Sequence, residues 1–183
     1  YFNELSEMCL QASEDLCLID PKINLRVNRN TPLSLYERGT RLTKKGLGFP
    51  QYSNDDVIVP GLMKKGYSEQ DARNYVVAAC WEFIIPNHAM DIPNIDAVSL
   101  TGCVREVLPE LEQCPDYAAF YGRVERNIAE KADAICRKHR NLYIVPAPMI
   151  SLLMDGTIER AQDISLGSRY NNYGLHGTGL ASA

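Results

Sequence analysis

The stretch Tyr75-Val76-Val77-Ala78-Ala79-Cys80-Trp81-Glu82-Phe83-Ile84-Ile85-Pro86 constrains this chain more than any other. It is a continuous apolar run broken by one thiol and one carboxylate, two residues apart. A run of this kind is a buried strand or the end of a buried helix. In extended backbone, residues two apart project to the same side, so a strand here puts Cys80 and Glu82 on one face and Trp81 on the other. A carboxylate among apolar side chains is costly unless it has a partner, a raised pKa or a polar cavity. Two readings follow. In one, Cys80 is a small core residue and Glu82 bonds a nearby arginine or backbone amide. In the other, thiol and carboxylate stand together at the mouth of a cavity as a reactive pair.

The 183 residues suffice for one ordinary domain with a core, and 45% hydrophobic with 23% charged residues is a globular composition. A formal charge of -4 leaves no basic footprint for nucleic acid. No apolar run approaches the roughly 18 residues of a transmembrane helix, so no membrane association is expected. The cysteines (Cys9, Cys17, Cys80, Cys103, Cys114 and Cys136) form neither a C-x-x-C pair nor a Cys/His zinc spacing, so no metal site is expected. Scattered over expected helices, they read as free thiols of a reducing compartment, and the protein is expected to be cytoplasmic.

Periodicity predicts an amphipathic helix over Phe2–Leu18, with Leu5, Met8, Cys9, Ala12 and Leu16 as its apolar stripe. Alternation at Leu25 and Val27 predicts a short strand. Thr31-Pro32 predicts a helix start, with Thr31 as N-cap and the helix running to Lys45 under a Gly46 cap. Asn54-Asp55 opens another helix, which Pro60-Gly61 is expected to break or kink. Ser68 caps a short helix through Asn74. Pro86–Asn94, with two prolines and two asparagines, reads as loop. Helices are expected over Ala97–Gln113 and Tyr117–Arg140, and a short β-like run over Tyr143-Ile144-Val145. The class is α/β with helix in excess.

Beyond the central run, several segments carry a family signature. Upstream lie Gly46-Leu47-Gly48-Phe49-Pro50, Asn54-Asp55-Asp56-Val57-Ile58-Val59-Pro60-Gly61-Leu62, Gly66-Tyr67-Ser68 and Asp71-Ala72-Arg73-Asn74-Tyr75. Downstream lie Pro146-Ala147-Pro148-Met149-Ile150-Ser151-Leu152-Leu153 and Tyr170-Asn171-Asn172-Tyr173-Gly174. Together with Cys80-Trp81-Glu82, this order resembles the glycyl radical enzymes, in the dehydratase and lyase branch of the pyruvate formate-lyase-like group. That branch carries a Cys-x-Glu motif, usually reading Gly-Cys-Val-Glu-Pro, on a loop inside a barrel. Here Ala79, Trp81 and Phe83 replace the usual glycine, valine and proline. The Cys-x-Glu pair argues against pyruvate formate-lyase itself, which uses two adjacent cysteines.

The resemblance implies a fragment of a ten-stranded α/β barrel built from two half-barrels, helix-rich, with the cysteine loop at about 78–92. The family's radical-bearing glycine lies in a segment reading roughly Arg-Val-Ser-Gly-Tyr, which these residues lack. Residues 1–183 are therefore expected to be an internal part of a longer polypeptide. The resemblance further implies that a radical on that distant glycine passes to Cys80. The thiyl radical then takes hydrogen from a small hydroxylated substrate, with Glu82 as base, giving C–O or C–N elimination. Alternatives are radical decarboxylation or C–S cleavage within the same superfamily, and a non-catalytic truncated homologue acting as a binding protein. No bound cofactor is expected. The protein radical would be installed by a radical SAM activating enzyme, and the full-length chain is expected to be a homodimer. His88 and Asp91 are candidates for binding substrate or protonating a leaving group, or else for capping a helix or facing solvent. His139 reads as solvated surface at a helix end, and His176 as part of a backbone turn.

Overall fold

The Asn3 side chain opens the first helix, its Oδ1 accepting from the Ser6 amide at 3.0 Å. That helix, α1 (Glu4–Leu16), closes at Cys17 in the left-handed conformation with φ 50°. In the computed structural model, which describes residues 2–78 and 82–183, α1 reverses the expected orientation. Leu5, Met8 and Leu16 are exposed, and Leu10 is buried. The inward face is instead Glu7, Leu10, Gln11 and Glu14. Arg38, on α2 (Leu33–Leu42), donates to Glu7 at 2.8 Å, Gln11 at 3.1 Å and Glu14 at 2.5 Å. Periodicity found the apolar stripe correctly; an arginine bridging Glu7, Gln11 and Glu14 decided which side docks.

The chain falls into two compact units, Tyr1–Pro86 and Asn87–Ala183. The first is built on β1 (Asn24–Val27) and β2 (Gln51–Asn54), paired in parallel with Asn24 opposite Gln51 and Val27 opposite Asn54. The crossover between them contains α2, as a parallel connection requires. Leu25 and Val27 point inward as alternation predicts and join Leu10, Leu35 and Leu42 in one core. Thr31 does not cap α2, because its Oγ1 accepts from the Asn28 amide at 2.9 Å and is spent on the preceding turn. After α2 comes a π-helical turn over Thr43–Leu47, in which Gly46 (φ 83°) is left-handed, followed by Gly48 (φ 76°).

Helix α3 (Asp55–Lys64) begins on Asn54, whose side chain accepts from the Asp56 amide. Pro60 lies inside it. The helix is not broken there, because the missing N–H removes one i→i−4 bond while buried Val59 and Leu62 hold the following turn in place. Ser68 caps α4 (Glu69–Arg73), accepting from the Asp71 amide at 3.1 Å, as expected. The unit ends in an antiparallel pair, β3 (Val76–Ala78) and β4 (Glu82–Ile84).

The second unit contains β5 (Ala89–Ser99), paired in parallel with β6 (Tyr170–Thr178). The expected loop through Asn94 is thus largely strand. Pro93 and Asn94 (φ 60°) fall in the register break between Ile92 and Asp96, where no ladder amide is needed. A partner strand some eighty positions downstream overrides the local turn signals. His176, expected in a turn, sits in β6 opposite Ala97. Ser99 caps α5 (Leu100–Val107), which continues as a 3-10 turn over Leu108–Gln113. Asp116 caps the long α6 (Tyr117–Lys138). Two short helices follow, α7 (Pro148–Ser151) and α8 (Ile164–Gly167). Tyr143-Ile144-Val145 forms no strand, and Tyr143 and Val145 are exposed. The architecture is mixed α/β with helix in excess. Among the described residues the strands make three separate two-stranded sheets rather than a closed barrel.

Large apolar side chains stand in solvent on both units, among them Leu5, Met8 and Leu16 on the first and Met149, Leu153 and Leu166 on the second. Such faces call for cover from outside these residues. The 183-residue chain expressed alone should therefore bind the dye ANS in native buffer and melt without a sharp transition. A dye-silent monomer with a cooperative melt would show that these faces need no cover.

Candidate functional site

Strands β3 and β4 pair Val76 with Ile84, Val77 with Phe83 and Ala78 with Glu82. Glu82 is therefore the first residue of β4 and half-buried, beside the three-residue segment 79–81. Cys80 and Trp81 lie outside the described residues, so the expected shared face of Cys80 and Glu82 is not described.

The base of this pair is organised around Tyr75, which is fully buried. Its hydroxyl donates to Asp55 Oδ1 at 2.6 Å. Burial, with the Asp55 carboxylate second, pushes the phenol well above its ordinary pKa, so it remains a donor. The Arg26 guanidinium lies over the Tyr75 ring, 4.0 Å from its centroid, and its Nε donates to the same Asp55 oxygen at 2.9 Å. Arg26 Nη1 and Nη2 donate to the carbonyls of Tyr75 and Arg73, each at 3.0 Å. The Tyr75 ring meets Phe83 edge-on, 5.5 Å between centroids at 86°. Arg26 and Asp55 were not singled out by sequence reasoning. The signal for them is that a buried tyrosine hydroxyl needs an acceptor, and that a carboxylate accepting from it gains from a nearby cation.

In the second unit, His88 and Asp91 open the β5–β6 pair but have different partners. His88 Nε2 lies 2.6 Å from Asp155 Oδ2, and the Asp155 amide donates to the Asn87 carbonyl at 3.0 Å. Asp91 faces Asn172 across the register, and Asn172 Nδ2 donates to Asp91 Oδ1 at 2.6 Å. The other oxygen, Oδ2, is buried and has no hydrogen-bond partner among the described residues. Burial pushes the Asp91 carboxyl above its usual range, and the Asn172 bond pulls back against it. Neither residue caps a helix, one of the alternatives open at the level of sequence. His139 is not simply solvated: its Nε2 lies 3.0 Å from Asp96 Oδ2, which also accepts from Lys138 Nζ at 2.9 Å. The bonds from Lys138, His139 and the Ala97 amide hold the Asp96 carboxyl far below its ordinary pKa. Among the described residues no three His, Cys, Asp or Glu side chains are grouped to hold a metal ion. No helix among them is long and apolar enough to cross a membrane.

The pyruvate formate lyase-like family model matches residues 1–183. The chain belongs to this family of glycyl radical enzymes. It is 27% identical over 210 residues to the trans-4-hydroxy-L-proline dehydratase of Clostridioides difficile, covering 98% of this chain and 26% of that protein. An isethionate sulfite-lyase of Oleidesulfovibrio alaskensis is 32% identical over 85 residues, 46% of this chain and 10% of its own length. Among solved structures, one describing 1,2-propanediol dehydration in Roseburia inulinivorans matches with a TM-score of 0.80 at 27% identity, covering 98% of this chain and 25% of that one. The chain thus spans about a quarter of the length of these two dehydration-related proteins. Its mixed α/β fold is part of the fold of glycyl radical enzyme structures.

The state of Asp91 has a measurable sign. A carboxyl whose folded pKa is raised above the unfolded 3.8 adds stability below that value and loses it as pH rises through the folded pKa. In the full-length polypeptide, Asp91→Asn keeps an acceptor for Asn172 but cannot ionise. Its melting temperature relative to wild type should therefore climb as pH rises above about 4. A difference independent of pH would show that burial does not penalise the Asp91 charge.

Proposed function

We propose that this chain is the thiol-bearing part of a cytoplasmic glycyl radical lyase that eliminates C–O or C–N bonds in a small hydroxylated molecule. Residues 1–183 would be an internal part of its ten-stranded barrel, with the loop at about 78–92 entering the centre. The observation that carries the reading is the family match over the whole chain; Cys80 and Glu82, two residues apart in the sequence, are proposed as its Cys-x-Glu pair. The relatives named for dehydration support elimination of water over other chemistries.

The glycyl radical, on a glycine outside this chain and installed by a radical SAM activating enzyme, would supply the unpaired electron. Every other step belongs to residues here. As a thiyl radical, Cys80 takes a hydrogen atom from the carbon bearing a hydroxyl, breaking C–H and forming S–H. Glu82 accepts the proton of that hydroxyl, and the neighbouring C–O or C–N bond breaks, its electron pair leaving with the departing group. That group is protonated as water or an amine. The carbonyl-conjugated carbon radical left behind retrieves hydrogen from Cys80, which restores the thiyl. A sulfur–hydrogen bond suits both directions because its strength is close to that of the activated C–H bond. Glu82, half-buried at the start of β4, is in sequence reach of the thiol as base. His88 and Asp91 are proposed to bind substrate. Either could also protonate a leaving group; burial raises the Asp91 carboxyl above its usual range. The full-length protein is proposed to be a homodimer with no nucleic-acid or membrane partner.

A second reading, C–S cleavage, is favoured by the likeness of 85 residues to a sulfite-lyase. Its leaving group would be sulfite, with the same roles for Cys80 and Glu82.

Cys80→Ser in the full-length, anaerobically activated protein should abolish turnover while the glycyl radical signal still forms, since an O–H bond is too strong to relay the radical. Glu82→Gln keeps the shape but not the base, and should slow turnover by about 10²–10⁴-fold with the signal intact. Substantial activity in Cys80→Ser would make Cys80 core packing and end this reading. A harmless Glu82→Gln would keep the relay but remove elimination by this base.

A further inference from the structure

We propose that Arg26 is a positioning residue for catalysis, a clamp that sets where the β3–β4 pair stands, and with it Glu82 at the start of β4. The inference rests on the function proposed above and adds a residue fifty-four positions upstream of the thiol.

Four interactions of one guanidinium converge on the base of the hairpin. Two go to the backbone: the carbonyls of Arg73 and Tyr75, which bracket the last turn of chain before β3. One goes to Asp55, at the start of α3. The fourth is the stack on the Tyr75 ring. Through that ring the clamp reaches the second strand, because Tyr75 packs edge-on against Phe83, the residue after Glu82 and the cross-strand partner of Val77. A single planar group therefore fixes the entry to β3 directly and the strand carrying Glu82 at one remove.

Arginine suits this task and lysine does not. The two carbonyl bonds and the ring stack need a flat fork with parallel donors, whereas an ammonium is a point charge that satisfies one direction at a time. Arg26 is itself anchored, because β1 is held by its parallel partner and by the core at Leu25 and Val27 on either side. The anchor is thus tied to the core of the unit, and the clamped segment leads into the pair that carries Glu82. Radical transfer and proton abstraction both depend on sub-ångström placement, and a displacement of about 1 Å costs on the order of 10²-fold in rate.

A role in stability alone and a role in positioning differ in turnover per radical. The test uses the full-length protein, activated anaerobically, with the glycyl radical counted by electron paramagnetic resonance and turnover divided by the spin count. Arg26→Lys should lose about 10–100-fold in kcat per spin. Its KM should stay within about 2-fold, because the guanidinium is engaged by Asp55, two backbone carbonyls and the Tyr75 ring, and a positioning role removes no uniform binding. Tyr75→Phe, which keeps the ring but not the bond to Asp55, provides a milder variant should Arg26→Lys fold poorly. It should lose about 3–10-fold per spin, the worth of one hydrogen bond. Wild-type kcat per spin in both variants, with only a lower melting temperature or radical yield, would overturn the proposal and leave Arg26 a structural residue. Cys80→Ser serves as the separate arm: turnover in that variant defeats the function itself, whatever Arg26 does.

Discussion

The hydroxyl of Tyr75 cannot be buried without an acceptor, and the structure of the first unit follows from how that acceptor is provided. Asp55 supplies it, and its carboxylate needs a cation in turn, which Arg26 provides from β1. Those three residues come from the first strand, the start of α3 and the entry to β3. Moving any of the three elements costs hydrogen bonds of this network, and for the buried Tyr75 hydroxyl it would leave a polar group unpaired. Apolar packing alone would tolerate sliding of such short elements. The network does not, because hydrogen bonds at 2.6–3.0 Å have direction as well as strength.

The second unit solves a different problem. Its long parallel pair runs past a proline and a left-handed asparagine by breaking register rather than by ending. At the start of that pair sits an aspartate with one oxygen bonded and the other buried and unpartnered among the described residues. A group in that condition is expensive as a purely structural element. The Asp96 cluster is the contrast: every bond to that carboxylate favours its charge, and it ties β5 to the end of α6.

What the sequence revealed divides along physical lines. Local signals read well where the determinants are local. Ser68 capped its helix, Gly46 took the left-handed conformation, and the alternation at Leu25 and Val27 gave a strand with both side chains buried. Signals failed where a distant partner decided. Pro93 and Asn94 marked a loop until β6 was available to pair with their segment. The stripe of Leu5, Met8 and Leu16 was a true helical face, but Arg38 drew the acidic side of α1 inward. Tyr143-Ile144-Val145 had the composition of a strand and no neighbour to pair with among the described residues. At the candidate site, the Cys-x-Glu spacing was legible because two residues define it. The Arg26 clamp was not, because its members lie 29 and 49 positions apart and each alone is an ordinary residue.

The central claim is that Cys80 is a radical relay and not a core thiol. For that, its sulfur must touch the radical-bearing glycine of the full-length polypeptide. The most direct measurement is the distance between Cys80 Sγ and the Cα of that glycine in an experimental structure of the whole protein. The account predicts van der Waals contact, about 3.5–4 Å, with the Glu82 carboxylate opening on the same cavity. A Cys80 sulfur enclosed by apolar side chains and separated from the glycine by intervening residues would contradict it.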